Sequence, residues 1–188
     1  MPIIGIAGGS ASGKSTLADK LQKRFSDVEV KVLHMDSFFK KREDRPHVPS
    51  HISQRIYVDD NSPDTVDWDS YHRALDEAIK SRIPVVIVEG LLVLWDPYTL
   101  EKLDLKLFVD CRADQRIVRR IKRNMRWGQT FDDITDVYLD MVRFRHDQYV
   151  EPTKWCADLI INGAGNTDMA CELCASKIQD LLRQANKI

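Results

Sequence analysis

The chain has 188 residues with 28 basic and 29 acidic side chains, which gives a formal net charge of -1. This balance gives no reason to expect a nucleic-acid partner. No segment approaches the roughly 18 consecutive apolar residues of a membrane span, and residues 1–30 lack the pattern of a secretory leader, so we expect a cytoplasmic chain with no membrane partner. The length suits a single domain over residues 1–188, and the four cysteines are interpreted as free thiols.

Short runs of β-branched residues alternate with longer helical stretches, as is typical of an α/β protein with a largely parallel sheet. The apolar pattern predicts strands at residues 2–7, 28–35, 84–89, 105–111 and 157–162. It predicts helices at residues 14–25, 69–81, 113–127, 132–148 and 167–185. Residues 40–67 fit neither period, and a loop of that length inside a domain is typically functional or mobile.

A glycine-rich loop directly follows the first predicted strand. Its sequence is Gly8-Gly9-Ser10-Ala11-Ser12-Gly13-Lys14-Ser15. It matches G-x-x-x-x-G-K-[ST] between a strand and a helix, which favours a phosphate cradle over a merely flexible turn. Glycines let backbone N–H groups turn toward a phosphate, and the helix N-terminus adds partial positive charge. We expect Lys14 to neutralise the β- and γ-phosphates and Ser15 to hold Mg²⁺.

The rest of the chain narrows the class of nucleotide-binding protein. The D-x-x-G and N/T-K-x-D strings of a GTPase do not occur, and an ABC-type ATPase needs a larger domain with a signature loop. A small phosphotransferase therefore remains. The competing class is a non-catalytic nucleotide-binding switch, which would need Lys14 and Ser15 but no further chemistry.

Two carboxylates end predicted strands, where ligands bind in open α/β sheets. Asp36 follows the second strand and is expected to accept a proton from a substrate hydroxyl. The alternative is that Asp36 caps a short helix. Glu89 ends a run of buried apolar residues and is expected to bind Mg²⁺ directly or through water. The alternative for Glu89 is a pair with a nearby Lys or Arg.

Arginines recur at helical spacing on the predicted helix at residues 113–127. They are Arg116, Arg119, Arg120 and Arg123. The spacing puts all of them on one face, which favours an anion such as a polyphosphate among them. We expect a lid at about residues 116–131 that closes over the transferring phosphate, with Gly128 as a hinge. The alternative is a solvated face balanced by Asp114, Asp132 and Asp133.

The strings "GGSASGKS", "MDSFF", "VEGLL", "LFVDCRADQRIVRRIKR" and "VRFRHDQYVEPTKWCADLIINGAGN" together resemble the uridine kinase family, with its relatives the nicotinamide riboside kinases and phosphoribulokinases. The resemblance covers nearly the whole chain. It implies a P-loop NTPase fold with a five-stranded parallel sheet in the order 2-3-1-4-5 and helices on both sides. It also implies transfer of the ATP γ-phosphate to the 5′-hydroxyl of a ribonucleoside, with uridine or cytidine as the first choice of acceptor and GTP as the alternative donor.

The resemblance assigns roles to individual positions. Asp36 matches the family's base, Arg120 and Arg123 match lid arginines near substrate and phosphates, and Glu89 matches the acidic residue near Mg²⁺. The expected catalytic residues are Asp36, Lys14, Arg120 and Arg123. The expected nucleotide contacts are Gly8, Gly9, Ser10, Ala11, Ser12, Gly13, Lys14, Ser15, Thr16, Arg119 and Arg123. The expected acceptor contacts, from the lid and an insert at about residues 37–67, are Asp36, Phe39, Tyr57, Asp60, Asn61, Arg120 and Gln129. The expected metal contacts are Ser15, Glu89 and Asp36.

The sequence also departs from the family. The β-hairpin that reads a pyrimidine is missing, because residues 81–83 run directly into the third sheet strand. Asn61 stands where the family has a ribose-binding aspartate, with Asp59 and Asp60 beside it. The lid is a residue shorter, with Trp127 and Gln129 near expected arginines and Val137 near an expected glutamine. A nicotinamide riboside kinase, or a kinase of another small alcohol, therefore remains an alternative.

Other candidate sites have weaker support. Cys171 and Cys174 are interpreted as helix-surface thiols rather than metal ligands. His47 and His51 are expected in a loop. Trp68 and Tyr71 are expected to anchor a helix start, with stacking on a substrate base as the alternative.

Overall fold

A computed structural model describes residues 1–50 and 52–185. A five-stranded parallel sheet has the order β2-β5-β1-β6-β7, and β3 pairs with β4 in an antiparallel hairpin. The strands are β1 (Ile3–Gly8), β2 (Val30–His34), β3 (His47–Pro49), β4 (Ile56–Val58), β5 (Val85–Glu89), β6 (Leu105–Asp110) and β7 (Leu159–Asn162). Counted along the chain, the sheet strands have the expected order 2-3-1-4-5, which confirms the predicted fold.

Helices cover both faces of this sheet. They are α1 (Lys14–Arg24), α2 (Trp68–Lys80), α3 (Pro97–Leu100), α4 (Ala113–Met125), α5 (Phe131–Val137), α6 (Arg143–Arg145) and α7 (Asp168–Ala185). One apolar layer joins the sheet to α1 and α7, and a second layer joins its other face to α2. Within the described residues, no helix has the length and apolar character needed to cross a bilayer.

The central strands explain the position of the loop that follows β1. Every residue of β1 and β5 is buried, as expected for a parallel strand covered on both faces. In the parallel register Ile6 lies beside Glu89, and Gly8 lies beside Val109. The carboxyl ends of β1, β5 and β6 therefore meet at one edge, where the glycine-rich loop begins.

One prediction of local structure is confirmed in outline, and two were wrong. The predicted helix at residues 132–148 is present as α5 and α6, with π-helical turns at Tyr138–Val142 and His146–Val150 on either side of α6. Such turns occur as single-turn insertions in helices, and apolar period alone does not reveal them. Residues 40–67 contain the β3–β4 hairpin rather than loop alone. Cys171 and Cys174 are buried in the α1–α7 layer, although they are free thiols as expected.

Candidate active site

The loop between β1 and α1 has the backbone shape that a phosphate cradle requires. Gly13, directly before α1, has φ 109°, and Ala11 has φ 63°. This left-handed region is strained for residues with a side chain. A Cβ on Gly9 would collide with the Arg116 guanidinium, so the loop lies directly against α4. Lys14 is the first residue of α1 and is only 7% exposed.

Ser15 and Glu89 form a group that fits a divalent cation. The Ser15 hydroxyl donates to Glu89 Oε1 at 3.1 Å, and His34 Nδ1 lies 2.7 Å from the same oxygen. Glu89 is 5% exposed, and its Oε2 has no hydrogen-bond partner in the described chain. A buried oxygen without a partner is costly unless a ligand completes it. The alternative that Glu89 pairs with Lys or Arg is wrong, since its partners are Ser15 and His34.

The donor set matches Mg²⁺ bound together with a nucleotide. Within residues 1–50 and 52–185, no group of three or more His, Cys, Asp or Glu could hold a metal ion. Mg²⁺ usually binds through one or two carboxylates plus substrate phosphates and water. Ser15 and Glu89 are the residues that could supply the protein part of such a site.

Two of the predicted lid arginines contact the loop directly. Arg120 Nη1 donates to the Ser10 hydroxyl at 2.9 Å, and Arg123 Nη2 lies 3.4 Å from the same oxygen. Burial lowers the pKa of both guanidinium groups from the ordinary value, and for Arg120 the charge of Arg123 adds to this effect. The alternative of a solvated, neutralised face is wrong. In the described structure, none of the four arginines forms a salt bridge with Asp114, Asp132 or Asp133.

The other two arginines, Arg116 and Arg119, donate hydrogen bonds to backbone carbonyl oxygens in and around the loop. Arg119 Nη1 donates to the carbonyl oxygens of Gly163 at 2.7 Å and Ser12 at 3.3 Å, which ties the loop to the segment after β7. Arg116 is buried, and its Nε donates to the Cys111 carbonyl at 3.0 Å. Arg116 is therefore part of the support for the loop, whereas Arg119 both supports the loop and lines the adjacent cleft.

Asp36 lies in a 3₁₀ turn, Met35–Phe38, directly after β2. No side chain caps this turn, so the alternative of Asp36 as a helix cap is wrong. Burial raises the pKa of the Asp36 carboxyl above its ordinary value, while the Lys14 ammonium partly opposes this and Glu89 adds to it. A base acts best with a pKa near the working pH. The raised pKa therefore suits Asp36 to accepting a proton.

Two open clefts flank Asp36. The P-loop cleft, about 630 Å³, runs from Lys14 past Arg119 to Gly163 and Thr167 after β7. The insert cleft, about 400 Å³, lies between residues 36–61 and α4. Both volumes lie in the range of about 300–1,000 Å³ that is typical of small-molecule sites.

The two clefts share one group of residues, which we call the junction. The residues that line both clefts are Lys14, Asp36, Arg123 and Trp127. The junction combines two cations with the Asp36 carboxylate, close to Ser15 and Glu89. A phosphorylated ligand in one cleft and an alcohol in the other would thus meet between positive charge and a base.

The polar side chains of the insert differ in whether they are already hydrogen-bonded within the protein. Asp59 is fully buried, where it accepts from the Asn61 backbone N–H at 2.9 Å and from Arg145 Nε at 2.7 Å. Asp60 pairs with Arg45 at 2.7 Å but still lines the insert cleft, as does Asn61. Asp59 is therefore a structural anchor of the insert rather than a reader of a ribose.

Tyr57 lies to one side of the insert cleft. Its hydroxyl donates to Asp140 Oδ2 at 3.0 Å, and it lines a neighbouring cavity of about 100 Å³. The structure thus brings most of the expected acceptor residues together, but not Tyr57. Those that line the insert cleft are Asp36, Phe39, Asp60, Asn61, Arg120 and Gln129.

Comparison with known proteins identifies the family. The model of the phosphoribulokinase / uridine kinase family matches residues 3–83 and 50–170. The chain belongs to this family. It is 33% identical to a uridine kinase of Oceanobacillus iheyensis over 96% of this chain and 95% of that protein, and 34% identical to one of Geobacillus kaustophilus over 97% and 95%. A solved structure described as a possible uridine kinase from Bacillus stearothermophilus has a TM-score of 0.54, with 19% identity over 86% of this chain and 88% of that one, and shows the same fold.

Membership of this family makes the chain a phosphotransferase with an alcohol acceptor. The P-loop cleft also contains residues that sequence reasoning missed, above all Gly163, Gly165 and Thr167. A signal was available, because "NGAGN" directly follows a predicted strand, and ligands bind beyond the carboxyl ends of such strands. Leu91 and Asn124 in the insert cleft had no comparable signal.

The remaining aromatic and histidine candidates lie away from the junction. Tyr71 is fully buried, and Trp68 stacks on Trp95 with ring centroids 5.8 Å apart. Both anchor the start of α2 as expected, and the alternative that Tyr71 stacks on a substrate is wrong. His47 belongs to β3 rather than to a loop, and His51 lies outside the described residues.

Proposed function

We propose that the chain is an ATP- and Mg²⁺-dependent kinase that transfers the γ-phosphate to the 5′-hydroxyl of a ribonucleoside, with uridine or cytidine as the first choice. The observation that carries the proposal is the junction, where two ligand-sized clefts meet at Lys14, Asp36 and Arg123. The names of the curated relatives support the choice of acceptor. A non-catalytic switch would have no use for a second cleft beside Asp36, the proposed catalytic base.

On the donor side, the chain binds and neutralises the triphosphate. The P-loop N–H groups and the N-terminus of α1 surround the β-phosphate, and the Lys14 ammonium neutralises β- and γ-oxygens. Ser15 and Glu89 would hold Mg²⁺, which would neutralise further phosphate charge when bound. Arg119 lines the cleft where it continues toward Gly163, so the nucleoside part of the donor lies in that direction.

On the acceptor side, Asp36 orients the 5′-hydroxyl and accepts its proton. The hydroxyl oxygen forms a bond to the γ-phosphorus as the bond from that phosphorus to the ADP oxygen breaks. Arg120 and Arg123 neutralise the charge that is spread over the transferring group. In this proposal residues 37–67 supply the acceptor contacts, and residues 116–131 act as the lid.

A second acceptor is favoured by one feature of the fold. Helix α2 ends at Lys80 and β5 begins at Val85, so residues 81–84 leave no room for a base-reading hairpin. The acceptor base is then contacted only by the insert and α4. Nicotinamide riboside, which shares the ribose but not the pyrimidine, is therefore the alternative acceptor.

The test compares kcat/KM with ATP and Mg²⁺ for uridine, cytidine, nicotinamide riboside and 2′-deoxyuridine, with ribulose 5-phosphate and pantothenate as non-nucleoside controls and GTP as a second donor. Amide and carboxylate groups at Asn61 and Asp60 can bond the ribose hydroxyls, so we expect strong rejection of 2′-deoxyuridine. Equal rates for uridine and 2′-deoxyuridine would exclude ribose reading. Failure of all the ribosides would overturn the proposed acceptor class.

A further inference from the structure

Trp127 is the one member of the junction without an obvious role in phosphoryl transfer. It lines both clefts together with Lys14, Asp36 and Arg123, yet its side chain is uncharged and 69% exposed. An indole left in water on an otherwise charged wall gains by being covered when ligands bind.

The local structure couples this ring to a phosphate-binding group. The Arg123 guanidinium carbon lies 5.0 Å from the centre of the Trp127 ring, within the range of a cation–π contact. Trp127 lies two residues beyond the end of α4 and precedes Gly128, which has φ 86° and open space on the side where a Cβ would point. The ring can therefore move with Arg123 when that side chain engages a phosphate.

Asp36 at this site could also promote hydrolysis of ATP by water. A base poised beside a γ-phosphate can also accept a proton from water, in which case the water oxygen bonds to phosphorus, ADP leaves and inorganic phosphate forms. Both clefts are open to solvent, so the charged groups alone do not keep water away. Closure of an apolar group over the reacting atoms prevents this side reaction and strengthens the electrostatic contacts inside.

We propose that Trp127 is the residue that excludes water from the junction, and that it thereby determines the choice between the alcohol and water as acceptor. When both ligands are bound, its ring moves with Arg123 over the junction. Trp127 is thus a specificity-determining residue of the lid. The inference rests on the proposed kinase function, but its test reports on the two separately.

The test measures ADP and phosphorylated uridine in the same reaction for the wild type, Trp127→Ala and Trp127→Phe. We expect one ADP per product in the wild type, a several-fold excess of ADP in Trp127→Ala, and near-normal coupling in Trp127→Phe. Trp155→Ala is the matched control, because Trp155 is 81% exposed, lies outside the lid and lines neither cleft; it should leave coupling unchanged.

A second readout does not depend on turnover. Acrylamide quenching of tryptophan fluorescence is compared between the wild type and Trp127→Phe, with and without a non-hydrolysable ATP analogue plus uridine. The component lost in Trp127→Phe should become protected when both ligands are bound. Unit coupling in Trp127→Ala, or a Trp127 component that stays fully accessible, would overturn the inference. A wild type that phosphorylates no acceptor would instead refute the kinase proposal, while the quenching arm would still report on Trp127.

Discussion

The two sides of the junction differ in how many of their polar groups are already bonded within the protein. On the P-loop side, Glu89 Oε2 and Ser12 Oγ are buried without a hydrogen-bond partner in the described chain. On the insert side, the Tyr57 hydroxyl bonds to Asp140, Asp59 to Arg145, and Asp60 to Arg45. The P-loop side keeps groups free for a ligand, whereas the insert side uses most of its groups to hold its own shape.

This difference shows where binding energy is available. A buried polar atom without a partner costs free energy that a ligand can recover, so the P-loop side is poised for a charged donor. The insert offers fewer free groups, chiefly Asn61, because the Arg45 guanidinium carbon already lies 5.4 Å from the centre of the Phe39 ring. Recognition of the donor is therefore expected to be strong, and discrimination among acceptor bases weaker than reading of the ribose.

The largest expected effect comes from Asp36→Asn. Loss of the base should lower kcat by roughly 10²–10⁴-fold, the range for general acid–base catalysis, with nucleotide affinity within a few-fold. Steady-state kinetics and nucleotide titration measure the two quantities. Asp44→Asn, on an exposed turn of the insert, is the control and should retain activity. A kcat unchanged by Asp36→Asn would remove the base from the mechanism.

Lys14→Ala tests the donor side. Removal of one preorganised charge should lower turnover by about 10²–10³-fold without unfolding the protein. Lys23→Ala, at an exposed position of the same helix, should have little effect. Circular dichroism and turnover are measured for both variants, and near-normal turnover of Lys14→Ala would contradict the assignment of the phosphate cradle.

Asn61→Ala and Tyr57→Phe compare a proposed acceptor contact of the insert with a side chain that is hydrogen-bonded within the protein. Asn61→Ala should lower kcat/KM for a riboside roughly tenfold, since an unmade hydrogen bond to a ligand costs about 1–3 kcal/mol. Tyr57→Phe should leave kcat/KM within about twofold and lower the free energy of unfolding by about 1 kcal/mol, because it removes an internal hydrogen bond. Kinetics and denaturant titration of both variants test this, and the reverse pattern would place Tyr57 in the acceptor site.

Hydrogen exchange tests closure of the lid. With an ATP analogue and an acceptor bound, exchange in residues 119–129 should slow several-fold, because lids close and exclude water on binding. Helix α2, which lines neither cleft, serves as the internal control and should not change. Unchanged exchange in residues 119–129 at saturation would show that α4 is a fixed wall.

The smallest effect concerns stability. Burial raises the pKa of Asp36 in the folded protein, so ionisation of this group costs stability once the pH rises above its unfolded value. Asp36→Asn should therefore raise the melting temperature of the ligand-free protein at neutral pH, and the gain should shrink as the pH is lowered toward 4. A variant that melts lower than the wild type at neutral pH would show that the ionised carboxylate stabilises the fold.

The sequence predicted site residues correctly where a functional side chain and the end of a strand lie in the same short segment. The P-loop, Asp36 and Glu89 could be predicted because each lies at the carboxyl end of a strand of the parallel sheet, and such strand ends meet at one edge. The separate roles of Arg116 and Arg119 could not be predicted from the sequence. Helical spacing puts both residues on one face, and only the position of the loop decides which of them is buried. The partner of Tyr57 depends on a hydrogen bond to Asp140, 83 residues later, which no local pattern encodes.

In the proposed mechanism, phosphoryl transfer takes place between the two clefts at the junction. Its most direct test is a single-turnover reaction of γ-labelled ATP with uridine and Mg²⁺, with the label followed by chromatography and its position determined by NMR. We expect the label to appear in a 5′-monophosphate in the wild type and to stay in ATP with Asp36→Asn. Label released only as inorganic phosphate, or retained in ATP with every acceptor of the riboside panel, would contradict it.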